Sequence, residues 1–528
     1  MMTPLTVCIV TAGKGSRMGA IGLGLNKALL PIDGKAAISH IINKFPPQTE
    51  FVIGLGYLGQ QVRQYLGMAH PDLNFKYVQV DKFEGSGSGP GYSLLCCRQH
   101  LQKPFYFVSC DTLWDNNLDF SLNDNWLGVA HVDPLKSDQY CNLKIANDQV
   151  VGLSDKVLVT DPAFQAFVGL CHIRDYKIFW NALESKTLVA GEHQISNGIQ
   201  ALIQKSEVRS QQINWSDVGD SEKYRAIVGR YENFDFSKSN ETLYIINRKV
   251  IKFFVDEKIT QQRVEKSKLN PSVFPKISKF DGQFYSYDFQ PGETLYKVNN
   301  QFIFRRFLDF LVKDLWHHKE VDRHKMHSMC NDFYHKKTMQ RLALYAKKYP
   351  SPDVETKVNG CIIPPTKYLL SEVPWNLLED GIPSFMHGDL QFDNVLYDAA
   401  TGSFTLLDWR QDFGGQIEFG DLYYDLAKLY GGIVLNYDFI KLNLLSYFED
   451  GNEIFIDFAQ RFETKSYLEI LGSFIYAQGY DLERVKLLVS LIYLNMSPLH
   501  HYPFDKLLYS LGRKMLFEQI QVFNLKNV

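Results

Sequence analysis

The chain has no apolar run approaching the ~18–20 residues of a membrane span, so a helical membrane protein is not expected. It also has little net charge: 56 lysines and arginines against 59 aspartates and glutamates leave −3. No general basic field exists for nucleic acid or an anionic bilayer, and the basic groups are expected to serve small phosphorylated ligands. The eight cysteines (Cys8, Cys96, Cys97, Cys110, Cys141, Cys171, Cys330, Cys361) show no C-x-x-C spacing. Several sit in apolar runs, the pattern of buried thiols in a reducing compartment and not of a disulfide framework or zinc site. The opening MMTPLTVCIVTAGKGSRMG lacks the charged start and small-residue cleavage site of a signal peptide. A soluble, cytoplasmic protein is expected, with small-molecule substrates, no nucleic acid and no membrane insertion; whether it forms a homo-oligomer stays open.

The 528 residues are too many for one core, and ~100–200 residues per domain suggests two to four domains. Hydrophobic content of 45% and aromatic content of 14% fit a well-packed globular chain. The sharpest motif lies late. Residues 387–394 read HGDLQFDN and 406–410 read LLDWR, giving His387, Asp389, Asn394 and Asp408. Phosphoryl transfer needs a base beside the acceptor hydroxyl, and an amide oxygen and second carboxylate to hold Mg²⁺ against nucleotide phosphates. Asp389 and Asn394 have the kinase catalytic-loop spacing, and Asp408 follows the strand-like FTLL. The segment resembles the catalytic segment of the aminoglycoside phosphotransferase and choline kinase family. The resemblance implies Asp389 as the base orienting the acceptor hydroxyl, and Asn394 and Asp408 as metal ligands.

The N-terminal half carries a second pattern. LTVCIVTA (5–12) reads as a buried parallel strand and opens into Gly13-Lys-Gly15-Ser16-Arg17-Met-Gly19. Glycines here let backbone N–H groups approach phosphate oxygens. The loop is neither a Walker A motif nor the G-x-G-x-x-G of a dinucleotide fold. With Asn26-Lys27-Ala-Leu-Leu-Pro31-Ile-Asp-Gly34-Lys35 it completes a pattern similar to the sugar-phosphate and phosphocholine nucleotidylyltransferases, whose fold is a Rossmann-like mixed sheet. That resemblance implies an NTP triphosphate held by Ala12, Gly13, Gly15 and Ser16, with Arg17 and Lys27 neutralising charge at the α-phosphorus. It also implies that the loop bearing Gly85, Gly87 and Gly89 surrounds the base. The loop departs from the Gln- or Asn-rich form of several members, so CTP, UTP, GTP and dTTP all stay open, with CTP taken first. Asp111, after the strand PFYFVSC, and Asp217, in NWSDVGDSEKY, are the implied Mg²⁺ carboxylates. Lys156 and Glu192 are the implied contacts to the acceptor phosphate and acceptor.

A polar stretch, NFDFSKSNET, precedes the strand pattern TLYIINRKVIKFFV (242–255). The boundary is therefore read near residue 233: 1–232 as the nucleotidyltransferase domain and 233–528 as a two-lobed kinase-like domain, with a small lobe about 240–298 and a helical lobe about 299–528. Within VIKFF, Lys252 is the implied anchor for ATP phosphates, and Glu265 its helix partner. Asp288–Pro291 is read as the hinge. No glycine-rich loop lies between 235 and 250. From 301 the chain reads as mostly helical, and His317, His318, His324, His327 and His335 read as solvated helix faces. Asp421 is the implied structural acid supporting the catalytic loop. The C-terminal aromatics read as core before they read as a choline cage. Arg410, two residues after Asp408, favours an oxygen-rich or anionic acceptor over a quaternary amine.

The expected fold is α/β: a Rossmann-like mixed-sheet nucleotidyltransferase domain, then a protein-kinase-like (aminoglycoside phosphotransferase) domain. The expected function is bifunctional. ATP phosphorylates a small sugar, polyol or hydroxy acid, and the new phosphate is coupled to an NMP with release of pyrophosphate, Mg²⁺ serving both sites. By analogy the product would feed surface polysaccharide such as capsule. Alternatives are a choline or ethanolamine kinase joined to a phosphocholine cytidylyltransferase, and a nucleotide-binding regulatory protein with one inactive half. An antibiotic phosphotransferase would leave the first half without a task.

Overall fold

The computed structural model describes residues 4–22, 24–121, 123–185, 187–229 and 240–526. The chain divides into two compact units. One comprises Met1–Tyr231, Ser239–Val255 and Asp281–Ser286; the other includes Asp256–Phe280 and Tyr287–Val528. The boundary read near residue 233 lies outside the described residues.

The first unit is built on a nine-stranded mixed sheet. Its strands are β1 (Thr6–Val10), β2 (Glu50–Leu55), β3 (Asn74–Gln79), β4 (Phe105–Ser109) and β5 (Asn125–Ala130). They continue with β6 (Cys141–Ala146), β7 (Gln149–Asp155), β8 (Phe164–Ile173) and β9 (Val208–Gln212). The spatial order is β3-β2-β1-β4-β8-β5-β9-β7-β6. β1 to β4 run parallel, with Val7 opposite both Phe51 and Tyr106, whereas β8 runs antiparallel to β4 and β5. β1 is apolar throughout because both of its faces are covered. Val7 and Ile9 enter one core, with Ile38, Ile41 and Tyr65. Cys8 and Val10 enter another, with Phe105, Phe179 and Trp180, as the two-residue period of a strand requires. The loops after β1 and β4 leave the same edge of this parallel region, the side where open α/β sheets bind ligands.

The run expected as one strand over 242–255 is a hairpin, Glu241–Ile246 against Lys249–Phe254, with Leu243 opposite Lys252. Asn247 and Arg248 both lie in the left-handed region, φ 49 and 59, as a tight two-residue hairpin turn requires. The turn Asn247-Arg248 holds no glycine or proline, so the two apolar stretches on either side read as one run. Tyr244, Ile246, Ile251 and Phe253 pack into the core that holds Tyr65. The Tyr244 hydroxyl donates to the Leu29 carbonyl at 2.6 Å.

In the second unit, a short three-stranded sheet of Glu293–Thr294, Val395–Asp398 and Ser403–Leu406 brackets the HGDLQFDN segment. The helix Leu422–Val434 is buried along nearly its whole length. Helices Thr464–Ala477, Leu482–Met496 and Phe504–Lys526 follow, and Tyr493 and Phe504 are core residues. The expectation of a mostly helical chain after 301 misses one four-stranded sheet, in the order Cys361–Ile363, Thr356–Val358, Glu453–Phe458, Leu445–Asp450. Its strands are short and half-exposed, so they carry little apolar signal. All eight cysteines are free. His335 stacks on Trp375 and His327 bonds to Asp380, and among the described residues no three or more histidine, cysteine or acidic side chains gather as a metal site.

Candidate active sites

Asp111 follows the end of β4 by two residues. Asp217 ends the short strand Trp215–Asp217, which pairs antiparallel with Thr112–Trp114 so that Asp217 faces Thr112. The Val218 N–H donates to the Asp111 carbonyl at 3.1 Å. Two acids far apart in sequence thus stand side by side on one ladder. Each has its own cation. Lys27 Nζ lies 2.6 Å from Asp111 Oδ2, and Lys223 Nζ lies 2.6 Å from Asp217 Oδ2. Burial raises the Asp111 carboxyl, but Lys27 overrides it and the pKa falls to about 2. Burial lowers the Lys223 ammonium, but its bonds to Asp217 and to the Tyr140 hydroxyl reverse the sign and leave it raised. Lys223 was missed in the sequence. It reads as a surface lysine of the helix Ser221–Val228, and only the Asp220 cap, which bonds the Lys223 N–H, turns it toward Asp217.

Lys27 is fixed by its neighbour. The buried Asn26 side chain donates to the carbonyls of Thr11 and Tyr57 and accepts from the Ala28 N–H. Ala12 is buried, and its carbonyl takes the Tyr57 N–H. Gly13, Ser16 and Arg17 are exposed and Gly15 half-buried. Arg17 is close enough for its charge to oppose that of Lys27. The loop carrying Gly85, Gly87 and Gly89 is zipped to residues 191–193: Gly87 N–H to the Gly191 carbonyl at 2.8 Å and His193 N–H to the Ser88 carbonyl at 2.7 Å. Gly89 has φ 131, and a Cβ there would stand 2.8 Å from the His193 carbonyl oxygen, so this close approach requires glycine. Lys156 and Glu192 meet at 3.0 Å. The Lys156 N–H bonds to the Tyr140 carbonyl, which ties this pair to the Lys223–Asp217 pair.

In the second unit Asp389 is paired with Lys428, Nζ to Oδ1 at 2.6 Å. Lys428 is buried and projects from the Leu422–Val434 helix, where it reads as one more helix lysine. Asn394 donates its amide to the Asp389 carbonyl at 2.9 Å, which leaves its oxygen as the atom for a metal. Asp408 adopts a left-handed φ of 54, a strained geometry held in place by its surroundings, and Arg263 bonds its Oδ1. His387 is fully buried. Its Nδ1 accepts the Asp389 N–H at 3.1 Å and its Nε2–H donates to the Leu407 carbonyl at 2.8 Å, the pattern of a neutral imidazole. Burial lowers its pKa to about 4.

Two expectations are corrected. Asp421 is buried and structural, but it takes Ile382, Tyr334 and Arg484, not the catalytic loop. The acid under the loop is Asp425, which accepts the His387 N–H at 2.8 Å and the Gly388 N–H at 2.6 Å. Glu265, read as the partner of Lys252, lies on the exposed face of the helix Glu257–Leu269, where Gln261 donates to it. That helix buries Arg263 and Lys266 instead, and Lys266 donates to the Arg410 carbonyl. Lys252 is buried in the hairpin described above. The Arg410 N–H bonds to the His387 carbonyl, and its guanidinium lies 5.0 Å from the Phe333 ring centroid. Gly388 has φ 88, and a Cβ there would stand 2.6 Å from the Arg410 Cβ.

Both acid sets offer hard oxygen donors, in the small number that Mg²⁺ takes when phosphate oxygens and water complete its shell. Asp111 and Asp217 supply carboxylates of that kind in the first unit, and Asp408 a carboxylate and Asn394 an amide oxygen in the second.

Residues 7–118 match the MobA-like NTP transferase domain, and residues 271–459 match the phosphotransferase enzyme family. Two curated relatives named "Bifunctional protein GlmU" are similar to the first half. That of Methanococcus aeolicus is 23% identical over 216 residues, 40% of this chain and 50% of its own length. That of Methanocaldococcus jannaschii gives the same identity and coverage. The chain thus spans about half the length of the curated relatives it matches. Among solved structures, a UDP-glucose pyrophosphorylase complexed with UDP-glucose aligns at 17% identity over 43% of this chain and 98% of its own, TM-score 0.38. A putative glucose-1-phosphate thymidylyltransferase from Bacillus anthracis aligns at 18% over 44% and 98%, TM-score 0.37.

Proposed function

We propose that this chain, in which an NTP transferase domain precedes a phosphotransferase-family domain, is a bifunctional enzyme that phosphorylates a small hydroxylated metabolite and then couples the new phosphate to a nucleotide. The observation that carries the reading is that each unit sets acids against cations of their own: Asp111 on Lys27, Asp217 on Lys223, Asp408 on Arg263 and Asp389 on Lys428. A metal and the phosphates of a bound nucleotide would replace those partners, carboxylate to metal and cation to phosphate.

In the kinase site Asp389 takes the acceptor hydroxyl proton as that oxygen attacks the γ-phosphorus of ATP and ADP departs. Asn394 and Asp408 would hold Mg²⁺, which neutralises phosphate charge, and Lys252 would anchor the ATP phosphates. In the transferase site Arg17 and Lys27 hold the triphosphate over Ala12–Ser16. Asp111 and Asp217 would hold the second Mg²⁺. The loop Gly85–Gly89 encloses the base, with CTP the first nucleotide to test, and Lys156 with Glu192 meets the phosphorylated acceptor. The acceptor phosphate attacks the α-phosphorus and pyrophosphate leaves. In domain terms 1–232 is assigned to the transferase and 233–528 to the kinase, although the hairpin Glu241–Phe254 packs in the core of the first unit. A cytoplasmic enzyme supplying nucleotide-activated precursors for a surface glycan such as capsule fits this pair of reactions.

A screen of acceptors with pyrophosphate detection across CTP, UTP, GTP and dTTP tests the reading. Asp389→Ala is expected to abolish ATP-dependent phosphorylation and to leave coupling of a pre-phosphorylated acceptor intact; Asp111→Ala is expected to do the reverse. Loss of both activities in either folded variant rules out two separate sites.

A further inference from the structure

Beside Asp389 the second unit gathers more positive charge than its acids compensate. Phe333 and Phe413 stack with centroids 4.2 Å apart, and Phe333 meets Tyr424 edge-on at 4.9 Å. On this aromatic floor Lys337 Nζ lies 3.9 Å from the Phe333 ring centroid, and the Arg410 guanidinium lies 5.0 Å from it. Arg341 stands one turn after Lys337 on the helix Lys337–Lys348, and so on the same face. All three are half-buried. Among the described residues none of them has a carboxylate partner in an ion pair: Asp389 is taken by Lys428, and the Arg410 side chain donates its Nε–H to the backbone carbonyl of Asp412.

Like charges on a half-buried aromatic floor repel, and the effect shows in the titration of the groups. Burial, Arg410, Arg341 and Lys428 push the Lys337 ammonium well below its ordinary range, with Asp412 the one acid opposing them. Burial and Arg410 likewise lower Arg341. Such a cluster gains stability when an oxyanion enters it. Its position ties it to the acceptor side of the site: Lys337 feels the charge of Lys428, the partner of Asp389, and Arg341 that of Arg410. Asp408 has its own cation, Arg263, from another helix.

We propose that Lys337, Arg341 and Arg410 form a subsite for an oxyanion carried by the kinase acceptor itself, so that the acceptor is a small hydroxylated carboxylate or phosphate ester and not a neutral sugar or a quaternary amine. The proposal rests on the kinase reading of Asp389. A planar guanidinium pair with an ammonium suits two or three oxygens of one anion, and that anion would orient the hydroxyl toward Asp389.

Titration calorimetry of the full chain, with ADP and Mg²⁺ present, compares glycerol, choline, glycerate and glycerol 3-phosphate, which share a small hydroxylated skeleton and differ in charge. Glycerate or glycerol 3-phosphate is expected to bind at least about tenfold more tightly than glycerol or choline; whichever wins identifies carboxylate or phosphate as the group. The double variant Lys337→Gln, Arg341→Gln is expected to lose that preference while it keeps pyrophosphate release at the transferase site. The charge-conserving Lys337→Arg, Arg341→Lys is expected to retain most of it, and serves if the neutral variant does not fold. Equal binding of neutral and anionic probes, or a preference unchanged in the neutral variant, overturns the subsite. Anion preference lost in the variant, together with ATP turnover unaffected by Asp389→Ala, would leave the subsite standing and remove the kinase reading.

Discussion

At the scale of single residues, the decisive groups are pairs. Lys223 shows why: its ammonium bonds Asp217 and the Tyr140 hydroxyl and pairs with Asp220. Lys223→Ala is expected to slow nucleotidyl transfer about 10–100-fold, as loss of an outer partner of a metal carboxylate does. Phosphorylation by ATP should be unchanged, and assaying both reactions on one preparation checks the split. Asp425 makes a different case. Its buried carboxylate accepts two backbone N–H groups and the Trp316 indole at 3.1 Å. Asp425→Ala would orphan all three donors and cost about 3 kcal/mol or more. Asp389→Ala, which removes one half-exposed partner of Lys428, should cost less. Urea unfolding of the two variants decides, and equal midpoints would refute this account of the loop.

At the scale of elements, the HGDLQFDN segment, which runs into the strand Val395–Asp398 and is bonded from below by Asp425 of the helix Leu422–Val434, is built around a neutral histidine. His387 titrates near 4 in the folded chain against 6.5 in the unfolded chain. Between those values the unfolded state binds more protons, so stability rises with pH across the window. Acidification through the whole window costs about 3 kcal/mol. Stability of the second unit measured at pH 7 and pH 4.5 should show that loss, and His387→Gln should lose less over the same interval. The motif HGDLQFDN was legible in the sequence because its spacing is local. The acid beneath it was not, since Asp421 caps and Asp425 lies within the same helix, and only packing decides which of them faces the loop.

At the scale of the whole molecule, the hairpin Glu241–Phe254 carries the largest consequence. Tyr244 packs against Tyr65 with ring centroids 4.8 Å apart, and both are fully buried in the first unit. Each large apolar side chain buried there contributes about 1.5–3 kcal/mol, and Tyr244, Ile246, Ile251 and Phe253 all belong to that core. A fragment ending at residue 232 is therefore expected to be less soluble and to melt lower than one ending at 255. Circular dichroism melts of the two fragments check this; equal melting temperatures would show that the first unit completes its core without the hairpin.

The sequence by itself carried the two family patterns. Loop glycines, the order of Asn26-Lys27 and the Asp389–Asn394 spacing are short-range patterns, and each carries its meaning within one stretch of chain. It also determined the parallel strands around β1, whose two-faced burial leaves a continuous apolar run. Only the tertiary structure decided which distant charges meet: Asp217 beside Asp111, Lys223 on Asp217, Lys428 on Asp389, and Lys337 with Arg410 on one phenylalanine ring. A lone lysine on a helix reads alike whether its ammonium meets water or a buried carboxylate. Partner choice follows from packing between segments far apart in sequence, and no local pattern encodes it.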